Sequence, residues 1–256
     1  MQTRYEHVKS RYRNSLVATT YDSSRFLSAK GQKRNRLMLA AIQRAFDKAA
    51  SLGTPIRDCL DLPCGTGRLF PWLLQRQLRF VGADISLEMM RAGRTKIGAA
   101  SSGGVPLGLV QCDGEYLPLK DRSLDAVFSI RFIFHVPREQ RVRILQEMAR
   151  VSRRWLIVDF RHCYNVRWCF RRLCHGLGLA RHLGEVWSRA SLRCEAADAG
   201  LRLVGVFSPR RGLACFSDKW VVLLEKADGK SWSAAFQICG RSRDLSDRSP
   251  VMVRSP

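Results

Sequence analysis

Apolar positions along this chain switch between two spacings, and the switches mark out its elements. From Asn35 to Ala50, the residues Leu37, Leu39, Ala41, Ile42, Ala45 and Phe46 recur at roughly helical intervals. A turn at "SLGTP" follows, and then short strand-like runs begin at 56–62, 78–85, 106–113, 124–130 and 154–160. Helical candidates at 67–77, 86–99 and 138–151 fall between them. That alternation predicts a mostly parallel α/β sheet covered by helices on both faces. After Phe160 the pattern changes. Residues 161–200 read as helical or irregular, and two further strands are expected at 201–208 and 218–226. The link between those two is too short for a helical crossover, so they are expected to pair antiparallel at the sheet edge.

The patterning divides the chain into a basic arm over 1–34, one domain over 35–226 with a helical cap around 161–200, and a basic tail over 227–256 expected to be disordered. The longest apolar runs, such as "WLIVDF" at 155–160, are strand length and far below the roughly 18 residues of a membrane span. The N-terminus lacks the apolar segment of a secretory signal. Nine cysteines are dispersed, with no CxxC and no zinc spacing, so no metal is expected and the setting reads as reducing and cytoplasmic.

The stretch "LDLPCGTGRL" (60–69) ends the first strand with Asp61 and turns through Gly65 and Gly67 into a helix. Glycines there let backbone approach a ligand beyond the carboxyl ends of parallel strands. No Gly-Lys-Ser/Thr follows, which excludes a P-loop, and Phe70 occupies the place of the third glycine of a dinucleotide fingerprint. An acidic residue ahead of the turn suits a ligand bearing an ammonium group. Asp84, ending the second strand in "VGADIS", is placed to accept both hydroxyls of a ribose. Asp113, after the third strand, is placed to accept from an adenine amino group. Together these parts describe S-adenosylmethionine.

The chain resembles the class I S-adenosylmethionine-dependent methyltransferases, and within them the small-molecule, ubiquinone/menaquinone-like group. The resemblance rests on "LDLPCGTGRL", on "GADIS" with "LEMM", on "CDGEYLPLKDRSLDAVFSIRFIFHVP" and on "EMARVSRRWLIVDF", in that order over about residues 35–226. It implies a Rossmann-like seven-stranded sheet with a reversed C-terminal hairpin, and S-adenosyl-L-methionine as cofactor. It assigns Asp61, Pro63, Cys64, Gly65 and Gly67 to the methionyl end and loop, Asp84 and Ile85 to the ribose, and Asp113 and Gly114 to the adenine. "YDSSRF" is similar to a closing segment of that group, with Arg25 reaching the cofactor carboxylate.

The acceptor side is less explicit. Ser129, Arg131 and His135 follow the fourth strand; Ser129 is grouped with the cofactor, Arg131 with an anionic substrate group or an ion pair, and His135 with a catalytic base, a pocket wall or a structural role. No NPPY-like sequence follows that strand, which argues against exocyclic-amine nucleic-acid methylation. Cys163, Cys169 and Cys174 are expected to pack helices. The net charge of +22 attracts polyanions without selecting one. The segment 161–182, "RHCYNVRWCFRRLCHGLGLARH", suits an anionic membrane surface, RNA, or packing over the substrate. The expected function is methyl transfer to a small, lipid-associated or anionic acceptor. An RNA methyltransferase and a non-catalytic RNA- or partner-binding module stand as alternatives.

Overall fold

The computed structural model describes residues 28–53, 55–98, 104–179, 184–210, 212 and 214–227. The expectations for Arg25, for "YDSSRF" and for the tail beyond residue 227 fall outside them. Strands β1 (Asp58–Asp61), β2 (Arg79–Asp84), β3 (Val105–Gln111), β4 (Leu124–Ser129), β5 (Ser152–Arg161), β6 (Leu201–Phe207) and β7 (Lys219–Lys226) form one seven-stranded sheet in the order β3-β2-β1-β4-β5-β7-β6. β1 through β5 pair in parallel, whereas β7 runs antiparallel to both β5 and β6. The expected reversed hairpin is therefore present, with β6 on the edge and β7 inserted beside β5.

Helices α1 (Ala29–Ser51), α2 (Phe70–Gln75), α3 (Leu87–Gly98), α4 (Arg138–Val151), α5 (Val166–Gly176) and α6 (Arg189–Asp198) connect the strands. The central strands are apolar on both sides, as a sheet covered on both faces requires. Leu60, Leu156 and Val158 join Ile144, Met148 and Leu192 of α4 and α6 in one core. Their strand neighbours Cys59, Trp155 and Ile157 join Met38, Ile42 and Phe70 of α1 and α2 in the other.

Two elements depart from the sequence pattern. Helix α1 starts at Ala29, six positions ahead of the expected start, because Ser28 caps it by accepting from the Gly31 N–H at 3.1 Å. Its first turns are exposed and basic, so no apolar period announced them. Helix α2 is shorter than the expected 67–77, since the positive φ of Gly67 (67°) and Gln77 (56°) closes it at both ends.

A buried ion pair ties the cap side of the fold together. Arg141 of α4 meets Glu195 of α6 in a bidentate pair at 2.5 and 3.0 Å, and both side chains are buried. The same guanidinium donates to Glu185 at 2.8 Å and to the Val136 carbonyl, and lies 4.6 Å from the centre of the Trp187 ring. Trp187 in turn donates Nε1–H to Glu195 at 3.0 Å. Removing one partner leaves a buried charge unanswered, which costs about 3–5 kcal/mol. Arg141→Ala is expected to lower unfolding free energy by that amount in urea titration, with Arg138→Ala, an exposed pair to Asp198, costing under about 1 kcal/mol.

Candidate cofactor crevice

Strand β1 lies between β2 and β4, so its two neighbours lead the chain away in opposite directions and leave a crevice beyond their carboxyl ends. The crevice encloses about 890 Å3, counting the space open to solvent. Its walls come from the β1 loop (Leu62 to Thr66, and Arg68), the β2 end (Asp84, Ile85, Met89), the β3 end (Cys112 to Gly114) and the β4 end (Ile130 to Phe132, and His135). Sequence-selected Pro63, Cys64, Gly65, Asp84, Ile85, Asp113, Gly114, Arg131 and His135 are all brought together there.

The loop is held by a carboxylate. Asp84 accepts from the Gly65 N–H at 2.8 Å on one oxygen and from the Ser86 N–H at 2.9 Å on the other. Gly65 sits at φ 53°, a left-handed conformation that turns its N–H onto that carboxylate. Each carboxylate oxygen keeps further acceptor capacity toward the crevice. Burial pushes the Asp84 carboxyl above its usual range, and the backbone donors oppose that shift.

Gly67 plays a different part from the one expected of it. It does not line the crevice: its Cα lies against Phe70 and the Gly93 carbonyl of α3, and an added Cβ would come within 2.4 Å of the Phe70 ring. Gly93 mirrors it, with a Cβ there falling 2.9 Å from the Gly67 nitrogen. The second glycine of the loop thus serves close packing of loop on helix. Lys96 reinforces the join by donating to the Thr66 carbonyl at 2.7 Å.

Asp61 and Ser129 also stand behind the walls. Asp61 is buried, and desolvation raises its pKa to about 8, with the nearby Arg68 guanidinium opposing and Asp84 adding to the rise. Ser129 is fully buried with an unpartnered Oγ, and Ile130 and Arg131 reach the crevice in its place. Arg131 adopts φ 68°, which is costly for a side chain of this size, and its N–H donates to buried Asp159 at 2.5 Å. Asp159 also accepts from Lys219 at 2.7 Å, so the β5 and β7 ends hold the bend that carries Arg131. His135 closes a short 3-10 turn, Ile133–His135, its ring 4.5 Å from that of Phe134.

Sequence reading missed Leu62, Thr66, Arg68, Met89, Cys112, Ile130 and Phe132 as lining residues. Met89 was within the quoted "LEMM", and its place on the first turn of α3 was the available signal. Of the three cysteines expected to pack helices, Cys169 is corrected, since its side chain is exposed, while Cys163 and Cys174 are half-buried. Among the described residues no group of acidic, His or Cys side chains is arranged to hold a metal.

Residues 60–155 match a protein-family model described as a methyltransferase domain. The chain is 35% identical over 109 residues to a demethylmenaquinone methyltransferase of Thermobifida fusca, covering 40% of this chain and 43% of that protein. It is 25% identical over 170 residues to a ubiquinone/menaquinone biosynthesis C-methyltransferase of Cellvibrio japonicus, covering 63% and 66%. The chain thus spans less than two thirds of the length of either relative. Magnesium protoporphyrin IX methyltransferase of Synechocystis PCC 6803, solved with bound SAH, superposes with a TM-score of 0.62 at 18% identity, over 86% of this chain and 99% of that one. The fold is that of the class I S-adenosylmethionine-dependent methyltransferases.

The residues present fit the cofactor of that fold. Two buried carboxylates suit its cationic methionyl end and its ribose diol, and the Gly65 turn leaves backbone rather than side chain on that side of the cavity. Because the loop rests on Gly93, its position is expected to be sensitive from behind. Gly93→Ala forces the loop to shift and is expected to cost about 1–3 kcal/mol of stability, read as a lower midpoint in thermal denaturation, and to weaken ligand binding in the crevice although residue 93 does not line it.

Proposed function

We propose that the chain transfers a methyl group from S-adenosylmethionine to a small acceptor admitted beside Arg131 and His135. The observation that carries this reading is the convergence of the Gly65 turn, Asp84 and the Asp113–Gly114 pair on one crevice inside the matched methyltransferase domain. When bound, the cofactor supplies an electrophilic sulfonium methyl open to in-line attack. The chain's task is then to orient and to exclude water, which is where much of the rate of such a transfer originates.

In this reading Asp84 accepts from the ribose hydroxyls with the lone pairs its backbone donors leave open. Asp113 accepts from the adenine amino group, beside Gly114, where an added Cβ would meet Phe132 and Ile144 at ordinary contact distance. Asp61 supplies negative charge under the methionyl ammonium. At the β4 end, Arg131 holds an anionic group of the acceptor, and His135 takes a proton where the acceptor is a hydroxyl or ammonium. The matches to menaquinone and ubiquinone methyltransferases run over 109 and 170 residues, longer than the 92 residues matched to probable tRNA methyltransferases, and so support a small acceptor.

Calorimetric titration with S-adenosylmethionine tests the reading. Micromolar binding is expected for the wild type, with binding lost in Asp84→Ala and the midpoint of thermal unfolding lowered as well, since the Gly65 and Ser86 N–H groups lose their acceptor. Absence of binding by the folded wild type would sink the proposal. With binding secured, transfer of labelled methyl to a lipid extract or to an RNA extract separates the small-acceptor reading from an RNA one.

Asp61 gives a second handle. Its raised pKa means the folded chain holds a proton between about pH 4 and 8 that the unfolded chain has lost, so its contribution to stability declines as pH rises through that window. A cationic ligand favours the ionised form and expels the proton. Affinity is therefore expected to rise from pH 6 to about 8, with proton release visible as a buffer-dependent binding enthalpy, and Asp61→Asn is expected to flatten that rise.

A further inference from the structure

Among helices α1 to α6, α5 is the one that buries none of its own residues, although it is rich in apolar side chains. Val166, Phe170 and Leu173, with Leu177 just after the helix, are 53%, 65%, 61% and 65% exposed. At 3.6 residues per turn, these four positions fall within about 60° of one another around the axis. Trp168, half-buried with an indole Nε1–H out of reach of solvent, lies on the opposite side. The helix therefore rests on the body through Trp168 and turns its apolar stripe outward. Leu179 and Phe216, the latter on the turn Ala214–Phe216 against which α5 packs, extend the exposed apolar surface.

The charge around the stripe is of one sign. No acidic residue occurs between Asp159 and Glu185, while exposed Arg167 borders the stripe and exposed Arg171 and Arg172 stand farther round the helix, Arg172 with its guanidinium 5.3 Å from the centre of the Trp168 ring. An apolar stripe bordered by arginines matches the two layers of an anionic bilayer surface, acyl chains below and phosphates at the level of the guanidinium groups. A second copy of this chain, at net charge +22, and the basic residues 1–36 would each bring like charge to the same face. RNA would answer the arginines but only one residue of the stripe, since Phe170 offers a ring on which a base can stack and Val166, Leu173 and Leu177 do not.

We propose that α5 is an interfacial anchor, seating Val166, Phe170, Leu173 and Leu177 among the acyl chains of an anionic lipid surface. The assignment does not depend on methyl transfer. The helix leaves from the carboxyl end of β5, which is the end where the crevice opens, so docking brings the crevice mouth toward the lipid.

The test is partition of the full chain onto phosphatidylcholine vesicles with and without phosphatidylglycerol, by co-sedimentation. A strongly basic protein adheres to anionic vesicles through charge alone, so the deciding readout is the stripe. Phe170→Ser/Leu173→Ser is expected to weaken partition onto the anionic vesicles about tenfold or more. The difference is expected to persist in about 1 M salt, where the screening length falls to about 3 Å. Thermal midpoint and cofactor titration are expected to match the wild type, because neither residue is buried. Arg167→Gln/Arg172→Gln is expected to reduce the preference for phosphatidylglycerol while leaving salt-resistant binding. The proposal is overturned if the wild type fails to bind, or if the Ser variant binds as the wild type does. It is overturned equally if a single-stranded RNA oligonucleotide displaces the wild type and loses affinity for the Ser variant to the same extent as the vesicles.

Discussion

The crevice depends on one carboxylate shared between two loops. Asp84 ends β2, yet it fixes the turn after β1 by accepting from Gly65, and it orders its own loop by accepting from Ser86. The parallel pairing of Asp61 with Gly82, and of Asp84 with Gln111, delivers the three strand ends to the same level. Without the carboxylate the half-buried Gly65 N–H and the buried Ser86 N–H would lose their acceptor, and an unanswered buried donor costs about 1–3 kcal/mol. The same atoms thus set loop geometry and present acceptor capacity to a ligand, which is why stability and binding are expected to change together at this position and to separate at Asp61.

Much of this was legible in the sequence because periodicity and strand ends are local signals. The strands fell within a few residues of their expected places, and α4 spans the expected 138–151, bounded by Pro137 before it and by the strand that begins at Ser152. Asp84 and Asp113 could be placed on one crevice, with Asp61 behind its wall, because parallel strands bring their carboxyl ends together. The split between Gly65 and Gly67 was not legible. Both read as ligand-approach glycines in one motif, and only the contact with Gly93, distant in sequence, shows that one faces the cavity and the other faces a helix.

Arg131 illustrates a second limit. Its residue type and position after β4 marked it as a candidate, but its left-handed backbone is set by Asp159 and Lys219 from two other strands. Lys219 is kept near Asp159 although burial lowers its pKa, and its Nζ also lies 4.1 Å from the Phe134 ring centre. No local pattern encodes such a bend. Arg141 is a similar case, a charged residue on a helix face that the apolar period alone would leave in solvent, buried instead because Glu195 and Trp187 meet it from another element.

The two signs of charge in this molecule act over different ranges. The net charge of +22 belongs to the surface, where salt limits its reach to about 8 Å at physiological ionic strength. Asp61 and Asp84 are buried, and once a cationic ligand has expelled the Asp61 proton their fields are screened far less. A cation approaching the chain is therefore opposed weakly at a distance and favoured strongly once inside the crevice, while an anionic surface is favoured from outside and finds no acidic residue along α5 to oppose it. On the proposed reading, transfer of the methyl group removes the sulfonium charge, so the interaction that the buried carboxylates make with the cofactor is weaker with the product than with the reactant. The local field that selects the cofactor then also favours its release, and the basic exterior plays no part in that step.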